Sequence, residues 1–317
     1  MGAQPQPKRE SKAAGAGNWR AAEAGKRWHF AFFRALIRFG GRRPAYHIMY
    51  IVVFWYVLLS KAIRRSTRPY LDRRFPDHTN PLRKFRDSYR LLYTFGRTLI
   101  DRAAVALLGT DALDAACLDE EALANVITEN ESAVLVNAHA GVWQIAVSIL
   151  GFIEKPVSIV MIPPDEGSPI AEMARERMPF KIIDPRQGLD GVLEMMQSLK
   201  NGEILGLMGD RVFGDEESTV AAEFLGDTIR LPFSPFRLAG AAGVPILVML
   251  SAKVGYREYE IRLAKIIRVD PKDARKPEKC RPYAQQFADA LEEFVEQYPW
   301  QFFNFYDMWR QDHPAAE

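Results

Sequence analysis

From about residue 118 onwards, the sequence alternates short apolar runs with segments of helical periodicity. Each apolar run has the length of a buried strand and is too short for a helix. A chain that alternates strands with helices forms a mixed, mostly parallel sheet flanked by helices, which is an α/β fold. The predicted strands are 134–136, 157–162, 180–183, 204–208, 246–250 and 259–267.

The strand at 259–267 is predicted to be antiparallel and to lie at an edge of the sheet. Helices are predicted at 172–178, 189–200 and 281–298. The last of these helices has an apolar face, because Phe287, Leu291 and Phe294 recur at helical spacing.

His139 stands where the predicted strand 134–136 should end, just before an apolar, helix-like segment at 145–152. In open α/β sheets, ligands bind at the edge formed by the carboxyl ends of the strands. A neutral imidazole at that edge can take a proton from an alcohol or amine as that group attacks a carbonyl. His139 is therefore the leading catalytic candidate, and the alternative is a structural histidine at a strand end.

His139 and Gln144 have the spacing of the His-x4-Asp/Glu signature, and the sequence around them resembles the membrane-bound glycerolipid acyltransferases. Within that superfamily, residues 28–309 look most like the lipid A (lauroyl/myristoyl) acyltransferase branch. The segments that carry this resemblance are MGDR at 208–211, EFLG at 223–226, LPFSPFRLA at 231–239, VPI at 244–246 and PWQFFNFY at 299–306.

The resemblance implies a glycerolipid acyltransferase-like fold and a reaction. His139 would act as the general base on a hydroxyl of a lipid or glycolipid acceptor, and that hydroxyl attacks the thioester of acyl carrier protein or acyl coenzyme A. These thioesters are cosubstrates, and neither a metal nor a tightly bound cofactor is implied. The implied setting is the cytoplasmic face of a bacterial inner membrane, with membrane lipids as partners and no nucleic acid.

One position departs from the family pattern. Gln144 stands where the family usually has Asp or Glu. An amide can orient the imidazole, but it cannot stabilise the imidazolium ion that forms on proton transfer. The alternative function is therefore a catalytically impaired homologue that binds or presents lipid.

Another carboxylate can replace the missing charge, and Asp210 is the first candidate. The buried strand predicted at 204–208 ends at Gly209, and Asp210 and Arg211 follow. Two parallel strands that lie close together bring their carboxyl ends to the same edge, so we predict that Asp210 approaches His139 as a second catalytic residue. The alternative is an aspartate that pairs with Arg211 or caps the following loop.

Three arginines, Arg211, Arg230 and Arg237, are candidates for two roles. A guanidinium can stabilise the oxyanion that forms during attack on the thioester, or it can hold an acceptor phosphate through paired hydrogen bonds. Arg211 is preferred because it adjoins Asp210, and Arg211, Arg237 and Gln144 form the predicted substrate-binding set. The phenylalanines that either line an acyl groove or pack in the core are Phe224, Phe233 and Phe236.

The formal charge of +2 hides an asymmetry, because residues 26–102 are rich in Arg and Lys whereas 111–131 are acidic. A basic half favours a polyanionic surface, either nucleic acid or anionic lipid. The most apolar run of the chain, 45–60, lies within that half and favours lipid. The only cysteines, Cys117 and Cys280, are far apart, which argues against a disulfide scaffold or zinc site and fits a reducing compartment.

As a helix, the run at 45–60 is about 24 Å long, which is short of the ~30 Å hydrocarbon core of a bilayer. We predict that it is embedded or tilted in the membrane, and the alternative is a buried core helix. The chain then divides into a disordered tail at 1–17, a basic helical membrane-associated region at 18–110 and an acyltransferase domain at 111–317. Within the helical region, 28–39 is predicted to be an interfacial amphipathic helix.

Overall fold

The computed structural model describes residues 35–142, 155–163, 180–212 and 219–310. Strands are found at all six positions predicted from the sequence. The predictions that lie outside the described residues are the tail at 1–17, most of the helix at 28–39, Gln144 with the segment at 145–152, and the helix at 172–178.

Residues 35–40 are helical, and three longer helices follow them in the N-terminal part of the described chain. They are α1 (Arg42–Leu59), α2 (Lys61–Arg74) and α3 (Pro81–Leu108). Ser60 is extended and its hydroxyl accepts a hydrogen bond from the Ile63 N–H, so the chain bends by 94° between α1 and α2. Asn80 caps α3 through the N–H of Leu82, and Pro81 occupies the first helical position, where its missing N–H has no intrahelical partner to lose.

The apolar run predicted at 45–60 is helix α1, and only one face of it is buried. The exposed face carries large apolar side chains, namely Tyr50, Ile51, Val52, Phe54, Trp55, Tyr56, Leu58 and Leu59. The alternative of a buried core helix is therefore wrong. Among the described residues, no single helix is long and apolar enough to cross a bilayer, and the bent pair α1–α2 passes that test on length and composition alone.

A seven-stranded sheet forms the centre of the protein. The described strands are β1 (Asp114–Cys117), β2 (Ala133–Asn137), β3 (Val157–Val160), β4 (Phe180–Ile183), β5 (Ile204–Met208), β6 (Thr219–Phe224), β7 (Asp227–Pro232), β8 (Ile246–Lys253) and β9 (Glu258–Ile267). The order in the sheet is β1-β9-β8-β2-β5-β3-β4. All neighbours pair in parallel except β8 and β9, so the predicted mostly parallel α/β sheet is confirmed.

Two parts of the strand prediction need correction. Strand β9 is antiparallel to β8 as predicted, but it is not at an edge, because β1 pairs with its other side. Strand β1 was not predicted from the sequence, and its four residues lie in the acidic segment and are only partly buried. The β6–β7 hairpin was not predicted either, and its turn residues Leu225 and Gly226 both have positive φ.

Four further helices pack against these strands. They are α4 (Glu120–Glu129), α5 (Leu189–Lys200), α6 (Ser234–Ala242) and α7 (Arg281–Gln297). Helices α5 and α7 confirm the predictions at 189–200 and 281–298. The three apolar residues predicted on one face of α7, Phe287, Leu291 and Phe294, lie in the main core beside the hairpin and the sheet.

Candidate active site

The carboxyl ends of β2 and β5 lie side by side. The two strands pair in parallel with Asn137 opposite Met208, and His139 and Asp210 each follow two residues later. The Gly209 N–H donates to the Asn137 carbonyl over 2.7 Å and extends the pairing beyond the strands. This register therefore brings an imidazole and a carboxylate to the same point at the sheet edge.

Three contacts join His139 to Asp210. The imidazole Nδ1 lies 2.9 Å from Oδ1 and 3.2 Å from Oδ2, and the backbone N–H of His139 donates to Oδ2 over 3.0 Å. The Asp210 side chain is fully buried, whereas 19 % of the His139 side chain is exposed. The carboxylate is thus held inside the protein while the imidazole remains accessible.

Asp210 is ionised at neutral pH. Burial alone raises the pKa of its carboxyl, but the charge and hydrogen bonds of His139, together with the charge of Arg211, hold that pKa below its ordinary value. Because a carboxylate only accepts hydrogen bonds, Nδ1 of His139 carries the proton between the two groups, and the neutral ring has its lone pair on Nε2. Nε2 is therefore the nitrogen that can take up a proton.

Gly141 allows the loop after His139 to approach strand β8 closely. Its φ is +57°, and a Cβ at this position would lie 1.5 Å from the carbonyl oxygen of Ser251. The following N–H, that of Val142, donates to the Ser251 hydroxyl over 3.1 Å. Only glycine fits here, so Gly141 fixes the path of the loop that carries the imidazole.

Gly141→Ala is expected to lower the free energy of unfolding by about 2–4 kcal/mol, because a clash with Ser251 adds to the cost of the positive φ. Gly226→Ala is the matched control. Gly226 has a φ of +77°, but no atom lies within 4 Å of its added Cβ, so a loss of about 1 kcal/mol is expected. Urea unfolding of both variants measures the difference. Equal losses would contradict the role given to the close approach.

A segment that follows α7 closes around the loop. The Phe303 N–H donates to the carbonyl of His139 over 2.6 Å, and the Gly141 N–H donates to the carbonyl of Gln301 over 2.7 Å. The side chain of Gln301 accepts from the Lys253 N–H and donates to the Lys253 carbonyl, over 2.8 and 2.9 Å. The loop is therefore fixed between this segment and the end of β8.

Tyr306 fixes the backbone at Asp210, the other residue of the pair. Its hydroxyl donates to the backbone carbonyl of Asp210 over 2.8 Å. Gln301, Phe303 and Tyr306 entered the sequence prediction only as part of the family resemblance, and their structural role was not predicted. The available signal was the density of aromatic residues in 299–306, which exceeds what an exposed terminal segment needs.

The model of the bacterial lipid A biosynthesis acyltransferase family matches residues 17–311. The match covers nearly the whole chain, including the loop that carries His139 and the segment at 301–303 that contacts it. The chain belongs to this family. It is therefore an acyltransferase that acts on lipid substrates, and the resemblance inferred from the motifs is confirmed. A comparison with curated proteins gave no match.

In this acyltransferase, Arg211 lies next to the His139–Asp210 pair. Its Nη2 donates to the carbonyl of Phe303 over 3.4 Å, and its guanidinium lies 5.9 Å from the centre of the Tyr306 ring. Its Nε is buried and has no hydrogen-bond partner in the described part of the chain. A buried charged donor without a partner is costly, so this atom is a candidate contact for a ligand oxygen.

The other predicted site residues are not brought to the pair. Arg237 is exposed on α6, and no contact joins it to His139 or Asp210 within the described ranges. Arg230 lies opposite Ala221 in the β6–β7 hairpin. Gln144 lies outside the described residues, so its role stays a prediction. The phenylalanines proposed for an acyl groove or the core are buried in the core, namely Phe224, Phe233 and Phe236.

The acyltransferase also has a buried ionic cluster that the sequence analysis missed. Asp101 on α3 is fully buried and is paired with Arg42 over 3.0 Å and with Lys253 over 2.9 Å. The hydroxyls of Tyr46 and Tyr259 donate to the same carboxylate. Burial lowers the pKa of Lys253 to about 8, against the opposing effect of the Asp101 charge, so the amine is still protonated at neutral pH. The cluster joins α1 and α3 to the end of β8.

No group of three or more His, Cys, Asp or Glu side chains that could hold a metal ion occurs among the described residues of the acyltransferase. The expectation that the reaction uses no metal or bound cofactor stays a prediction. The chemistry that the His139–Asp210 pair can itself perform is to accept, hold and return one proton.

Proposed function

We propose that the protein is a membrane-associated acyltransferase that moves a fatty acyl chain from a thioester of acyl carrier protein or coenzyme A to a hydroxyl of a lipid or glycolipid acceptor. The observation that carries this proposal is the His139–Asp210 pair. An accessible imidazole held by a buried carboxylate is what general-base activation of a hydroxyl needs. The pair also supplies a carboxylate in a chain that has Gln144 in the family's acid position.

In this reaction, Nε2 of His139 takes the proton of the acceptor hydroxyl as the hydroxyl oxygen attacks the thioester carbon. The negative charge of the tetrahedral intermediate develops on the former carbonyl oxygen. Asp210 stabilises the imidazolium ion that has formed. The intermediate then collapses with cleavage of the carbon–sulfur bond, and the imidazolium returns the proton to the leaving thiolate. An ester and a free thiol result, and His139 is again neutral.

We assign Arg211 to the negative charge of the reacting groups. Its buried Nε supplies a fixed positive donor, which stabilises either the oxyanion or a phosphate of the acceptor without reorganisation of solvent. Arg237 is proposed only as an outer contact for the acceptor, since it is exposed on α6.

The exposed face of α1 supports the proposed membrane association. Its apolar patch includes Trp55 and Tyr56, residue types that favour the membrane–water interface. Basic residues such as Arg65, which follow on α2, add up to about 1 kcal/mol each near an anionic surface. The bend after α1 suits a segment that enters one leaflet and returns. We place the enzyme at the cytoplasmic face of a bacterial inner membrane, where acyl thioesters are available.

The test is transfer of a radiolabelled acyl chain into a total bacterial lipid extract. Acyl carrier protein and coenzyme A serve as the acyl donors in separate reactions. A labelled lipid that releases its label in mild alkali is expected with at least one donor, because the product is an ester. Heat-treated protein is the control. Label released only as free fatty acid would indicate thioester hydrolysis instead. Absence of product with both donors, alongside binding to lipid vesicles, would favour the lipid-binding homologue.

A further inference from the structure

A cleft lies between α1, α3 and the turn that joins β8 to β9, away from the His139–Asp210 pair. Its volume is about 520 Å³, which lies within the range of small-ligand sites. It is lined by four tyrosines, two arginines and one histidine, and no carboxylate contributes to the lining. We call it the Tyr–Arg cleft. Its composition suits a ligand that is both anionic and able to contact aromatic rings.

The two arginines of the cleft are held by aromatic rings and not by acids. The guanidinium of Arg43 lies 5.3 Å from the centre of the Tyr256 ring, and that of Arg97 lies 5.2 Å from the centre of the Tyr46 ring. Neither arginine has an ion-pair partner in the described part of the chain. An aromatic ring stacks on the face of a guanidinium group and leaves the N–H donors in its plane available. Those donors can bind the oxygens of a carboxylate or a phosphate.

The floor of the cleft adds further positive charge. Tyr46 separates the cleft from the buried ionic cluster, in which two cations, Arg42 and Lys253, share the single carboxylate of Asp101. The cluster therefore holds two positive charges against one buried carboxylate, and Lys253 Nζ lies 5.7 Å from the centre of the Tyr46 ring. A charge in this buried position is screened by solvent far less than a surface charge.

The cleft is continuous with the apolar face of α1. Tyr50 lines the cleft and is more than half exposed, and Ile51, Phe54 and Trp55 follow it on the exposed surface of the same helix. A molecule with an anionic head in the cleft would thus lay an apolar tail along α1. Inorganic phosphate could use the arginines but not this neighbouring surface.

We propose that the Tyr–Arg cleft binds the phosphomonoester head of a membrane lipid. A phosphomonoester carries between one and two negative charges at neutral pH, which matches two arginines backed by the buried cluster of two cations and one carboxylate. Its three terminal oxygens can receive both guanidinium groups at once. This assignment concerns binding alone, so it holds whether or not His139 transfers an acyl group.

The test compares binding of the full chain to two kinds of vesicle with matched surface charge, one with phosphatidic acid and one with phosphatidylglycerol in phosphatidylcholine. Wild-type protein is expected to bind the phosphatidic acid vesicles about tenfold more tightly than the phosphatidylglycerol vesicles. The double variant Arg43→Gln/Arg97→Gln is expected to reduce the ratio of these two affinities to about one. Arg83→Gln/Arg86→Gln, which removes the same charge from exposed positions of α3, is expected to lower both affinities and keep the ratio.

Loss of the preference in both double variants would overturn the proposal, because it would show that general charge and not the cleft selects the lipid. Binding of water-soluble dihexanoyl phosphatidic acid no tighter than that of inorganic phosphate would also overturn it, since the apolar tail would then contribute nothing. Should the double variant of the cleft fail to fold, Arg43→Gln alone gives the same comparison, because Arg43 is exposed. Thermal melting of each variant checks folding.

Discussion

Replacing His139 with alanine is expected to lower kcat for acyl transfer by about 10²–10⁴-fold, because the variant lacks the base that takes the hydroxyl proton. KM for donor and acceptor should change little, since the imidazole acts mainly in the transition state. Steady-state kinetics with the donor found active and the lipid acceptor measures both parameters. A kcat near that of the wild-type protein would remove His139 from the mechanism.

Two further variants separate the proton transfer from packing. His139→Gln keeps a polar side chain beside Asp210 but has no basic nitrogen, so its loss of kcat should be as large as that of alanine. Asp210→Asn keeps the size of the side chain but not its charge, and its amide can donate to Nδ1 and so favour the wrong tautomer of His139. We expect it to lose about 10²-fold or more in kcat with melting behaviour close to wild type. A loss confined to KM would indicate a role in binding.

Asp101→Asn is expected to lower the free energy of unfolding by about 3–5 kcal/mol. The substitution leaves Arg42 and Lys253 buried without the carboxylate that both contact. It also deprives the hydroxyls of Tyr46 and Tyr259 of a charged acceptor. Urea unfolding monitored by circular dichroism provides the measurement.

Asp227→Asn is the control for this loss. Asp227 pairs with Arg73 over 2.9 Å, but 56 % of its side chain is exposed, so a change below about 1 kcal/mol is expected. The double variant Asp101→Asn/Lys253→Met should be more stable than Asp101→Asn, because it removes one of the two buried cations that have lost their carboxylate partner. Equal stability of the Asp101 and Asp227 variants would show that the buried pairing does not hold α1 and α3 to the sheet.

The contact between His139 and Asp210 could be predicted from sequence because it depends on few assumptions. Both residues follow buried strands whose apolar runs are plain in the sequence, and parallel strands bring their carboxyl ends to one edge. Only the adjacency of β2 and β5 had to be assumed, and the observed register places Asn137 opposite Met208. Strand length and burial therefore carried enough information to place this pair.

The ionic cluster could not be predicted in the same way. Asp101, Arg42 and Lys253 come from three distant segments whose packing angles no local pattern specifies. A faint signal was Asp101, which is the only acid in TLIDRAAVALL at 98–108, a helical stretch that is mostly apolar. The position of β9 was mispredicted for a related reason, since its outer partner β1 is short and half exposed and lacks the apolar run of a buried strand.

Gln301 and Phe303 fix the loop that carries His139, and this has a consequence for the order of events during synthesis. These residues leave the ribosome about 160 residues after His139, and such distant contacts form late in folding. The apolar face of α1 emerges long before either. If the protein has the proposed function, a nascent chain therefore reaches the bilayer before its active site is complete, because the loop that carries His139 is fixed only after residue 303 has been synthesised.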